Sequence, residues 1–122
     1  MKAKILVVDD SGLARRRART ILEGAGFEVL EAEDGIAALE SYFVAKPDLV
    51  LLDLVMKGMY GLDVLSKLRE LDPAVKVIVV SADVQTSSHD MVADAGASGF
   101  IIKPFEPDEI VAKVTSTLSE AH

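Results

Sequence analysis

The chain has 122 residues, no cysteine and a net charge of −7, and half of its residues are hydrophobic. That length suits one domain with a real core and leaves little room for a second. The missing cysteines exclude disulfides and thiolate metal sites, and the acidic balance is a poor match for general nucleic-acid binding, which needs a basic face.

The chain begins with only four consecutive apolar residues, Ile5–Val8, before Asp9 and Asp10. This is too short for a secretion signal or a membrane span, so the expected setting is the cytoplasm, away from membranes. Ala14, Ala18, Ile21, Leu22 and Ala25 then form a helical apolar stripe. Arg15, Arg16 and Arg19 point away from that stripe, and Arg17 sits on its border. The cluster reads equally as a solvated helix face or as a docking surface. A second apolar run, Phe27–Leu30, is interrupted by Glu28 and followed by Glu31, which suits a strand nearer a sheet edge. Asp34 is a natural N-cap for a helix carrying Ile36, Leu39, Glu40 and Phe43.

The third run, Leu49–Leu52, ends in Asp53. Gly61 precedes a helix marked by Leu62, Leu65, Leu68 and Leu71. The fourth run, Val75–Val80, ends in Ser81 and Ala82. Val84, Met91, Val92 and Ala95 trace a weaker fourth helix, closed by Gly96. Gly99–Ile102 is the fifth run and ends in Lys103 and Pro104. Pro107 suits the first turn of a last helix bearing Ile110, Val111, Val114 and Leu118.

Strands and helices therefore alternate five times with short connections. This predicts an α/β fold, a parallel sheet with helices on both faces in a doubly wound order. No repeat, linker or low-complexity segment interrupts the pattern. The expected organisation is a single domain over 1–122 with no output domain.

In such sheets, binding sites lie beyond the carboxyl ends of the strands. Those ends carry Asp9 and Asp10, Asp53, Ser81, and Lys103. A single polar residue at a strand end is ordinary. Three carboxylates, a hydroxyl and a lysine on one rim are not, because clustered carboxylates repel unless a cation joins them. An all-oxygen set suits Mg²⁺, with Mn²⁺ as the alternative. The lysine supplies a point charge for a phosphate-like group. These parts fit phosphoryl transfer to a carboxylate, with charge stabilisation on the transferring oxygens.

Over its whole length the sequence resembles the receiver domains of two-component response regulators, of the stand-alone CheY-like type. The resemblance rests on VVDD ending at Asp10, LVLLD ending at Asp53, VVSA containing Ser81, Lys103-Pro104-Phe105, Gly61 and Asp34-Gly35. It implies a flavodoxin-like (βα)5 fold with strand order 2-1-3-4-5. It also implies that Asp53 is the phosphoacceptor, charged by a sensor histidine kinase, a phosphotransfer protein or a small phosphodonor. Mg²⁺ would be held by Asp10, Asp53 and the main-chain carbonyl of Val55, with Asp9 acting through water. Ser81 and Phe100 would be the switch residues, and the Lys103-Pro104 bond would often be cis.

The same resemblance makes the chain a signalling switch rather than an enzyme. It would be read at the fourth helix, fifth strand and fifth helix by an unidentified downstream protein, possession of a chemotaxis-type pathway being one setting. Arg15, Arg16 and Arg19 lie where the family docks its kinase. A monomer or weak dimer is expected. The segment Gln85-Thr86-Ser87-Ser88-His89 has middling to low helix propensity and is expected to reorder on activation.

Departures from the family's pattern bear on the lifetime of the modified state. Met56 is followed by Lys57 where the family commonly has proline. Val55 and Asp83 occupy its hydrolysis-tuning positions, and an apolar residue at 55 cannot hydrogen-bond an attacking water. Tyr60 lines or caps the site, and His89 and His122 read as surface residues. A phosphatase of the haloacid-dehalogenase type would need a second acid at position 55. A flavin module would need a phosphate-cradling loop where Asp9 and Asp10 stand. A degenerate scaffold would not need Asp53, Lys103 and Asp10 together.

Overall fold

The computed structural model describes residues 2–56, 60–82, 93 and 95–120. Among the described residues nine elements follow in chain order: β1 (Lys4–Val8), α1 (Gly12–Gly24), β2 (Glu28–Ala32), α2 (Gly35–Ala45), β3 (Leu49–Asp53), α3 (Gly61–Leu71), β4 (Val77–Ser81), β5 (Gly99–Ile102) and α4 (Pro107–Ser119). The expected weak helix between β4 and β5 falls almost wholly outside the described residues, so α4 is the last helix of the sequence reading. Lys57, Asp83, Gln85, His89 and His122 also lie outside them.

The strands form one parallel sheet in the order β2-β1-β3-β4-β5, as expected. β1 pairs with β2 on one side, Ile5 opposite Val29, and with β3 on the other, Ile5 opposite Leu49. The strands that read as continuously apolar are β1, β3 and β4, and all three are interior. Apart from Lys4 and Asp53 at their ends, their residues are buried on both faces, which removes the polar alternation of a half-exposed strand. The mixed strand, β2, is an edge.

Two apolar layers flank the sheet. Leu6, Val8, Val50, Leu52 and Val79 face the layer built with Ala38, Val64 and Leu68 from α2 and α3. Ile5, Val7, Leu51, Ile78 and Val80 face Ala18, Leu22, Ile110 and Val114 from α1 and α4. Among the described residues, no helix is long and apolar enough to cross a membrane.

Local chemistry sets the helix starts. The Ser11 hydroxyl accepts from the Ala14 N–H at 3.2 Å, and the Asp34 carboxylate accepts from the Ala37 N–H at 2.8 Å. Pro107 stands in the first turn of α4, where a missing N–H costs nothing. Gly96 takes φ +93°, the left-handed conformation expected of a residue closing a helix.

The buried face of α2 is built mostly from small residues. Ile36 and Phe43 are exposed, whereas Gly35, Ala38 and Tyr42 are buried. Small residues let α2 approach the sheet, and the Tyr42 hydroxyl reaches across to Asp72 of the α3 C-terminus at 2.8 Å.

Candidate functional site

β1 and β3 are neighbours in the sheet but not in the chain, so the connections leaving their carboxyl ends diverge to opposite faces. Such a switch point opens a crevice where ligands bind. Asp9 and Asp10 follow β1, and Asp53 ends β3. Their carboxylate oxygens lie within 4.8 Å of one another, a spacing that can share one cation. Ser81 ends β4 and is buried, while Lys103 follows β5. The Lys103 main-chain N–H donates to the Ser81 carbonyl at 2.8 Å, which carries the β4–β5 register beyond the strand end.

Lys103 joins the carboxylates. Its Nζ lies 3.0 Å from Asp9 Oδ2 and 3.7 Å from Asp53 Oδ2. Asp9 is buried, and its other oxygen accepts from the Ser11 N–H at 2.9 Å. Asp53 accepts from the Val55 N–H at 3.3 Å. Burial pushes the Asp53 carboxyl up to about 6; Lys103 opposes this, and Asp9 and Asp10 reinforce it. A carboxyl so destabilised as an anion gains from any cation brought to it.

Val55 is exposed at the mouth of the crevice, and Tyr60 precedes α3 as its N-cap residue without a side-chain cap bond. Phe100, on β5, is partly buried against the α2–α3 layer. The Lys103–Pro104 peptide bond is cis. From Asp9, Asp53 and Lys103 at the rim, a cleft of about 390 Å³ runs between α1 and the residues after β5, walled by Leu13, Ala14, Arg17, Pro104 and Phe105.

The arginine cluster proves heterogeneous. Arg15 donates to the Asp9 carbonyl at 2.7 Å and to Glu31 at 3.1 Å. Arg19 meets the other Glu31 oxygen at 2.8 Å and Glu23 at 3.2 Å. The Arg19 guanidinium, followed by that of Arg15, holds Glu31 below the usual carboxylate range. Arg16 is exposed. Arg17 crosses to Phe105, its guanidinium carbon 5.0 Å from the ring centroid. Helical spacing put Arg15 outside the apolar stripe. It could not show that β2 and the end of β1 lie beside that face, and it gave no sign of the Arg17–Phe105 contact.

Known proteins resemble this chain in sequence and in fold. A family model described as response regulator receiver domain matches residues 5–115. The chain is 39% identical over 112 residues to the chemotaxis protein CheY of Thermotoga maritima, covering 91% of this chain and 93% of that protein. It is 38% identical over 120 residues to CheY of Bacillus subtilis, covering 98% and 100%. The crystal structure of a CheY-like receiver domain protein from Methanospirillum hungatei superposes with a TM-score of 0.92 at 29% identity, covering 97% of this chain and 94% of that one.

Proposed function

This chain belongs to the response regulator receiver domain family of two-component signalling, and we propose that it works as a phosphorylation switch whose phosphoacceptor is Asp53. The carrying observation is the placement of Lys103 Nζ 3.0 Å from Asp9 and 3.7 Å from Asp53, beside an acidic trio within 4.8 Å. In the reaction, an Asp53 oxygen attacks the phosphorus of a kinase or phosphotransfer-protein phosphohistidine. The new P–O bond forms as the P–N bond breaks and its electron pair goes to the ring nitrogen; the imidazole leaves neutral, its other ring nitrogen already carrying the proton. A small acyl phosphate is an alternative donor, its carboxylate leaving instead.

The donor set fits a hard divalent cation, because all three groups are carboxylates and their oxygens converge. Asp10, Asp53 and the Val55 carbonyl would hold Mg²⁺ or Mn²⁺, with Asp9 acting through water. When bound, the ion supplies positive charge to the carboxylates and to the transferring phosphoryl group. Lys103 then exchanges Asp53 for a phosphoryl oxygen, and the Ser81 hydroxyl meets another.

Those new contacts favour the active conformer because only the phosphorylated chain can make them. Phe100 follows Ser81 inward, which changes the surface around β5 for a downstream protein. Val55, and Asp83 outside the described residues, tune how long the acyl phosphate survives. Arg16 is an exposed cation on the α1 surface proposed to meet the kinase, with Arg15 and Arg19 set beside it by Glu31. The unit so described spans 1–122 and acts as a cytoplasmic switch, catalysing only its own phosphorylation and dephosphorylation.

Intact mass after incubation with acetyl phosphate and Mg²⁺ tests this reading. The expected result is one phosphoryl adduct on the wild-type chain, lost in Asp53→Ala. An adduct that survives that substitution, or no adduct under any condition, would remove Asp53 from the role.

A further inference from the structure

We propose that Arg17 is a positioning residue for Lys103, pinning the short segment Lys103-Pro104-Phe105 to α1. This rests on the reading of Asp53 and Lys103 given above, but adds Arg17, whose hydrogen bond and ring contact are both to Phe105.

Arg17 sits on the border of the α1 apolar stripe, one residue before the buried Ala18. Arg17 is itself exposed, so its stem can lie along apolar surface while its charged head stays at the edge and meets protein partners there. The side chain lines the cleft between α1 and the residues after β5. Its guanidinium lies over the Phe105 ring at 5.0 Å and donates to the Phe105 carbonyl at 3.2 Å. Ring and carbonyl of one residue are thus held by one side chain.

Phe105 is a firm anchor. It is buried in the α1–α4 layer with Ile110 and Val114. Only Pro104 separates it from Lys103. On the other side, the Lys103 N–H is fixed to the Ser81 carbonyl at 2.8 Å. The backbone that aims the Lys103 ammonium is therefore held by β4 at one end and by Arg17 at the other. An ammonium that must exchange one carboxylate for a phosphoryl oxygen needs its backbone to stay in place, since displacements near 1 Å can cost ~100-fold in rate.

The test compares wild type with Arg17→Met, which keeps an apolar stem but removes the charge and donors, and with Arg17→Lys, which keeps the charge above the ring but loses the planar fork. Each variant is incubated with acetyl phosphate and saturating Mg²⁺, and the adduct is followed by intact mass. A small donor keeps kinase docking out of the measurement. Beryllofluoride binding, Mg²⁺ binding without beryllofluoride and thermal unfolding are measured on the same samples.

Arg17→Met is expected to form adduct and bind beryllofluoride about three- to tenfold more weakly than wild type, with Mg²⁺ affinity within about twofold, and Arg17→Lys to fall between. Arg17→Met matching wild type in adduct rate and beryllofluoride affinity would overturn the positioning role, whatever its melting temperature. So would an equal loss of Mg²⁺ affinity, which marks general loosening of the site. If Arg17→Met does not fold, Arg17→Lys decides alone: wild-type rate and affinity would overturn the proposal. A wild-type chain that takes no phosphoryl group at all would overturn the Asp53 reading and this proposal together, whereas a wild-type adduct with unchanged Arg17 variants overturns only this one.

Discussion

Asp53 is held in a setting that works against its own charge. Burial raises its carboxyl from 3.8 to about 6, Asp9 and Asp10 push the same way, and Lys103 and the Val55 N–H compensate only in part. The folded chain therefore binds more protons than the unfolded chain between these two values. Stability attributable to this group is greatest below about pH 4 and is lost as pH rises through about 6. In chelator, Asp53→Asn is expected to be more stable than wild type at pH 7.5 by about 1–2 kcal/mol, a figure reduced for solvent screening at the rim. Lys103 keeps its Asp9 partner in that variant, so no buried cation is orphaned. The gain should fade toward zero below about pH 3, where Asp53 is neutral in either fold state. Urea unfolding across that range gives the answer, and a variant no more stable than wild type at pH 7.5 would contradict it.

At the scale of elements, the site depends on how closely α3 meets the end of β3. The Gly61 N–H donates to the Leu54 carbonyl at 2.8 Å. A Cβ on Gly61 would lie 2.7 Å from the Asp53 carbonyl, the Leu54 Cα and the Leu54 carbonyl, all of them backbone that cannot rotate away. Gly61→Ala is therefore expected to cost about 1–3 kcal/mol in urea unfolding and to slow adduct formation by displacing the Asp53 backbone. Unchanged stability would show that α3 can withdraw freely. The sequence made Gly61 visible only through the family resemblance, because spacing says nothing about backbone approach. Strands were plainer: β1, β3 and β4 announce themselves by unbroken apolar runs, and β2 by its glutamates. The packing of α2 was less legible, since its approach to the sheet uses Ala38 and Tyr42 and leaves the bulkier Phe43 outside. Least legible were the arginines. Arg15 finds Glu31 16 residues away and Arg17 finds Phe105 88 residues away, contacts that no helical period contains.

For the whole molecule, a net charge of −7 and three converging carboxylates act in one direction. The strand-end residues could be read from the sequence because the parallel order brings every carboxyl end to one rim, and an all-carboxylate trio at that rim is a strained arrangement in metal-free protein. Lys103 can neutralise only part of it, being shared between Asp9 and Asp53. A divalent cation that binds the folded chain alone must then stabilise the fold by mass action. At ten times its dissociation constant the gain is about 1.4 kcal/mol, or roughly 5 °C in melting temperature for a domain of this size. NaCl at matched ionic strength screens the diffuse charge without bridging the trio, so it should give a smaller rise. Asp10→Asn removes one carboxylate and part of the repulsion together. Its metal-free melting temperature should rise, and its response to MgCl₂ should shrink toward that of NaCl. Thermal melts of both chains in the two salts separate these terms: an Asp10→Asn response to MgCl₂ as large as wild type's would place the bound cation elsewhere, and equal wild-type shifts in the two salts would reduce the trio to one more patch of an acidic surface.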